Sequence, residues 1–181
     1  AVDVEIKGYA DLWEASLEDN LGIIDNFRVV NGMALKVLGE SYNTEDTAAI
    51  EAAGDKLLEL APNIRLIKDQ NTQDDLLSGE VGAALYTSQA TMAKMANPDL
   101  EVVFPEEGIG FGIMAQFIPA NAPNAENAYK FIDYILQPEV AAQCFEYIGY
   151  YCTNLDAEEY ISEEYRDFLP LPADIDASSM E

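Results

Sequence analysis

The chain has 181 residues, with 34 acidic against 9 basic side chains, a formal net charge of -25 and a hydrophobic fraction of 49%. That fits one medium domain, or one domain and part of another, with enough apolar material for a real core. The shortage of Lys and Arg excludes a nucleic-acid surface, and no apolar run approaches the roughly 18 residues of a membrane-spanning helix. Histidine is absent, which removes Ser-His-Asp triads, Cys-His dyads and HExxH zinc sites together.

The opening "AVDVEIKGYADLW" has no basic stretch leading into an apolar one, so it reads as mid-protein sequence rather than a signal peptide. "YADLWEASLEDN" predicts a short helix with Leu12, Trp13 and Leu17 on one side, and "LGII" a short buried strand. Asp25 or Asn26 can cap the helix that follows, where Val29, Val30, Met33, Ala34, Val37 and Leu38 keep the 3.6 period and Gly39 supplies the stop. "SYNTEDTAAIEAAGDKLLELAP" predicts a second long helix with acids in its first turn, ended by Pro62. Then come a strand "NIRLIKD", a short helix closed by Gly79, a buried strand "EVGAALY" and a helix "TSQATMAKMA" capped by Thr87 or Ser88. "LEVVF" and "IMAQFIP" read as strands on either side of a glycine-rich loop. Residues 124–137 predict a helix with Ala128, Phe131, Ile132 and Ile135 inward, and residues 138–148 another, with Pro138 in its first turn and Gly149 as its stop. The acidic, Pro-punctuated end predicts one more helix and a loose tail. Strands alternating with helices imply an α/β fold with a mainly parallel sheet.

Several chemical motifs fail on inspection. "DQNTQDDLLSGE" places oxygen ligands near calcium-loop positions, but the sixth position, which needs glycine, is Asp74. "GIGFG" is not the dinucleotide fingerprint and precedes a strand instead of following one; it reads as a tight turn, or as backbone passing close to something. Cys144 and Cys152 are the only thiols, and two readings stay open: a bridge, or two small apolar fillers. Two strand-to-helix junctions carry more weight. Tyr86 ends one strand before Thr87 and Ser88, and Asp25 and Asn26 end another. Open α/β sheets bind ligands outside the carboxyl ends of their strands.

The stretches "YADLW", "ALKVLGESYNTED", "IEAAGDKLLELAPNI", "SGEVGAALYTSQA", "LEVVFPEEG", "FIPANAPNAENAYKFIDYILQPEVAAQ" and "IGYYCTN" run in order from about residue 8 to 155. Together they make the chain resemble the second half of the extracytoplasmic spermidine/putrescine-binding proteins of ABC importers. The resemblance implies a periplasmic-binding-protein-like α/β lobe with its first lobe largely missing. Residues 1–111 then form the second lobe, 112–150 a crossover strand and helix pair that complete the first lobe, and 151–181 a return segment and acidic tail. It implies a non-enzymatic component without cofactor or metal, which closes on a small polar ligand and docks on ABC permease subunits outside the cytoplasm, held there by an upstream anchor or a fused permease. Self-association of the fragment through an exposed strand edge is a further expectation.

Carried over residue by residue, the resemblance implies a pocket of Asp25, Asn26, Asp69, Tyr86, Met114 and Tyr150. Tyr86 and Tyr150 would stack on an alkyl chain, and Asp25 and Asp69 would pair with ammonium ends. Asn26 would be a neutral hydrogen-bonder standing where the family has an acid. Val29, Gly112 and Met114 also depart from the family's clamp, so a non-polyamine solute of the same importer class is the alternative, with a carboxylate-based α/β hydrolase behind it.

Overall fold

The computed structural model describes residues 2, 4–69, 71–87, 89–150, 154–168 and 180. They fall into two compact units. Residues up to Phe111, with Met180 held to Ile109 by a parallel bridge, make the first, and the described residues from 112 to 168 the second.

The first unit is built on a three-stranded parallel sheet in the order β2-β1-β3, with β1 at Leu21–Ile24, β2 at Ile64–Lys68 and β3 at Ala83–Leu85. Parallel neighbours need crossovers, and helices supply them. α1 (Phe27–Val37) and α2 (Thr47–Leu60) lead from β1 to β2, and α3 (Thr72–Ser78) leads from β2 to β3. β1 is central and buried along its whole length, whereas the edge strand β2 alternates half-buried with exposed. Leu17, Leu21, Met33 and Leu60 are fully buried in the core on the α1 side, with Ile23, Ala83 and Leu85 beside them. At about 25 cal/mol per Å2, each such side chain contributes roughly 1.5–3 kcal/mol of burial.

Local chemistry sets the element ends. Asn26 caps α1 by accepting the backbone N–H groups of Arg28 at 3.1 Å and Val29 at 3.3 Å, and Asp46 caps α2 through Ala48 at 2.9 Å. The expected second helix is therefore shorter. Its acids precede the first turn, and Pro62 ends it by turning the chain through a 3-10 segment at Ala61–Asn63. Residues 9–17 form two 3-10 turns, not one helix, because Glu14 adopts extended backbone between them. Leu38 is 41% exposed rather than inward, since it lies at the C-cap, where the buried face has already turned away. α4 (Gln89–Ala96) follows β3; Ser88, a possible cap, is outside the described residues.

"LEVVF" and "IMAQFIP" are not strands among the described residues. A strand needs a neighbour to take its N–H and C=O groups, and neither segment pairs with one. Instead Glu107 fastens the intervening loop to the first 3-10 turn, its carboxylate accepting the N–H groups of Tyr9 at 3.0 Å and Ala10 at 2.9 Å. The close approach read into "GIGFG" is present at Gly110, where a Cβ would lie 2.5 Å from the ring of Tyr42.

In the second unit, α5 (Ala125–Ile135) and α6 (Pro138–Ile148) pack together, and α6 packs on a 3-10 segment at Leu155–Tyr160. Pro138 opens α6, and Gly149, at φ 78°, closes it. α7 (Glu163–Phe168) sets the Tyr165 ring 5.7 Å from Phe145, and the Tyr165 hydroxyl donates to the Glu146 carbonyl. No residue of α5 is buried, and Phe131, expected inward, is 59% exposed. Periodicity marks a face as apolar but does not say that anything covers it.

Candidate functional site

The three parallel strands end side by side, and four of the six sequence-predicted residues follow those ends. Asp25 and Asn26 come after β1, Asp69 after β2 and Tyr86 after β3. The register fixes their proximity: Ile24 faces Lys68, and Ile23 faces Leu85. The Asp25 N–H continues the ladder by donating to the Lys68 carbonyl at 3.2 Å. Asp25 and Asp69 are both exposed, so this edge carries two solvated carboxylates on adjacent strands.

Asn26 is also exposed, but its side-chain oxygen is occupied by the α1 cap. A capping oxygen leaves the amide N–H2 as the group that can meet a ligand. α1 itself brings the positive end of its dipole to the same edge.

Tyr86 is half-buried, and its hydroxyl donates to Asp75 Oδ2 at 3.2 Å. It lies back over β1 at Gly22, where a Cβ would stand 2.4 Å from the hydroxyl oxygen, so only glycine leaves room for it. Burial, then the charge of Asp75 and its hydrogen bond, push the Tyr86 pKa far up and keep the phenol neutral. Asp75 is 7% exposed, and its Oδ1 accepts from Lys68 Nζ at 2.7 Å.

Met114 and Tyr150 belong to the second unit, 79% and 44% exposed. Tyr150 follows the stop of α6, and Met114 lies in the unpaired segment after Gly112. Cys144 is exposed; Cys152 lies outside the described residues. Sequence reasoning missed three residues of the edge. Lys68 and Asp75 are seven apart and straddle a strand end and the next helix, a spacing with no fixed signature. Phe27, 81% exposed in the first turn of α1, precedes the apolar stripe that begins at Val29. Two depressions among the described residues lie around Leu155, Asp156 and Arg166 and are too open to enclose a ligand.

A parallel sheet with polar residues gathered at its carboxyl edge defines a class of binding lobe, and the chain's relatives agree. It belongs to the family described as bacterial extracellular solute-binding protein, whose model matches residues 3–168. The spermidine/putrescine-binding periplasmic protein of Salmonella typhimurium is 40% identical over 160 residues, covering 88% of this chain and 46% of that protein. The protein of the same description from Escherichia coli is 39% identical over 166 residues, 91% of this chain and 48% of the relative. This chain thus spans about half the length of the curated relatives it matches. Among solved structures, a spermidine/putrescine ABC transporter substrate-binding protein from Streptococcus pneumoniae matches at TM-score 0.69 and 30% identity, over 92% of this chain and 52% of that one. A protein from Listeria monocytogenes described as a putative spermidine/putrescine ABC transporter matches at TM-score 0.84 and 29% identity, over 99% and 56%.

Proposed function

We propose that the chain is the second-lobe portion of the solute-binding component of an ABC importer, taking up polyamines such as spermidine and putrescine. Residues 1–111 supply the lobe, and residues 112–150 the crossover and helix pair that complete a first lobe. The observation that carries this reading is the pair of exposed carboxylates, Asp25 and Asp69, on adjacent strand ends. Two ammonium groups pair with two carboxylates through charge-assisted hydrogen bonds, and a chain of net charge -25 concentrates cations near its surface. Tyr86 flanks the alkyl chain, and Asn26 hydrogen-bonds from the α1 cap. The component binds without turnover, outside the cytoplasm, and hands its ligand to permease subunits.

A second reading has one specific observation behind it. The Asn26 oxygen is already used, so its remaining donors match a hydroxyl or carbonyl better than an ammonium. That favours a neutral polar solute in the same importer class. Calorimetry on the complete two-lobed protein separates the two. Spermidine or putrescine should bind, and Asp25→Ala or Asp69→Ala should weaken that binding about tenfold or more, as expected for loss of a charge-assisted pair. Heat from a sugar or amino acid, with none from either amine, would replace the first reading by the second.

A further inference from the structure

Asp75 and Asn63 are the buried polar side chains among the described residues. Asn63 has a structural task, donating to the carbonyls of Leu12 and Glu14 at 2.8 and 3.0 Å. Asp75 holds no backbone through its carboxylate. Its two oxygens take the ammonium of Lys68 and the hydroxyl of Tyr86, the side chains at two of the three strand ends. Burying a carboxylate is costly unless both oxygens are matched, and here both are.

The placement explains why the pair exists. Gly22 faces Leu66 and Ala84 in register, so Lys68 and Tyr86, each two residues further along, lie on that same face of the sheet. The apolar core of Leu21, Ile23, Ala83 and Leu85 occupies the opposite face. Lys68 is the neighbour of Asp69, and its carbonyl holds Asp25. An unneutralised ammonium there would offset one of the two carboxylates. We infer that Asp75 is a positioning residue of the ligand edge: by pairing Lys68 and anchoring Tyr86 on the sheet face, it leaves Asp25 and Asp69 as the charges presented to an ammonium-bearing solute. This rests on the polyamine reading.

The test is titration of the complete two-lobed protein with spermidine, putrescine and N-acetylputrescine, which carry three, two and one ammonium groups. Asp75→Asn keeps a hydrogen-bonding partner for Tyr86 but frees the charge of Lys68. Affinity should fall by about tenfold for spermidine and progressively less for putrescine and N-acetylputrescine, as charge-charge terms scale. Adding Lys68→Gln to Asp75→Asn should restore wild-type affinity to within about threefold. An equal loss for all three amines, no loss, or no restoration would overturn the inference, because a purely structural role predicts uniform loss without rescue. If Asp75→Asn alone does not fold, the neutral double variant decides: near-wild-type affinity supports the role, and a tenfold loss ends it. A wild-type protein that binds none of the amines marks failure of the polyamine reading instead.

Discussion

In residues up to Phe111, the sheet and α1 close over Leu17, Leu21, Met33 and Leu60 until none is exposed, whereas α5 carries an apolar face of the same helical periodicity with no buried residue on it. α6 buries only Ala141, Ala142 and Phe145, while Tyr129, Phe131, Tyr134 and Tyr147 stay largely in solvent. The difference separates two things that sequence patterns merge. A 3.6-residue period states that a face is apolar; the cover for it has to come from another element. The first unit supplies that cover itself, and the described residues of the second do not.

The largest expected effect tests this contrast directly. Met33→Ala, in the closed core, should cost about 2–5 kcal/mol through lost transfer energy and a residual cavity. Phe131→Ala on α5 should stay within about 1 kcal/mol, since a half-exposed ring has little burial to lose. Denaturant unfolding of both variants measures it, and equal losses would mean that α5 is covered after all. Sedimentation of the 181-residue chain sharpens the point. An exposed face of this size should drive concentration-dependent self-association, weakened by Phe131→Asp.

Alkaline stability is the next effect in size. Tyr9 is buried in the first unit, and burial, then Tyr42 and Glu107, push its pKa up to about 12. An unfolded tyrosine ionises near 10. Below that pH both states keep the proton, and the stabilisation is fully present. Between pH 10 and about 12 the unfolded state loses its proton first, so Tyr9 removes roughly 1.4 kcal/mol of stability per pH unit. Tyr9→Phe should flatten this fall in the denaturation midpoint between pH 10 and about 12.

The same contrast explains what could be read from the chain. β1, β2 and β3, their parallel pairing, the caps and the glycine stops were legible because each rests on neighbours in sequence: apolar runs, a capping side chain, a residue that tolerates positive φ. "IMAQFIP" was not, because strand character depends on a partner, and its apolar pattern is the same whether or not one is present. At the carboxyl edge of the sheet, Asp25, Asn26, Asp69 and Tyr86 could be placed at strand ends from the pattern alone. The half-buried Lys68–Asp75 pair could not, since a charge seven residues from another reads as two solvated side chains until α3 folds onto the sheet.

The smallest effect compares one residue type at one position in both units. Asn26 and Asn124 both precede a helix, yet only Asn26 accepts backbone N–H bonds with its side chain. Asn26→Ala should therefore cost about 1 kcal/mol, and Asn124→Ala no more than a few tenths. Equal costs in thermal unfolding would show that α5 is capped as firmly as α1 and would erase this part of the contrast. Asn26→Asp then divides stability from recognition. A carboxylate caps as well as an amide and suits the helix dipole, so folding should change by less than about 0.5 kcal/mol. Its second oxygen, unlike the amide N–H2, can accept from an ammonium, so spermidine affinity should rise while affinity for a neutral solute falls. A change of equal sign for both ligands would mean that Asn26 serves the helix and not the ligand.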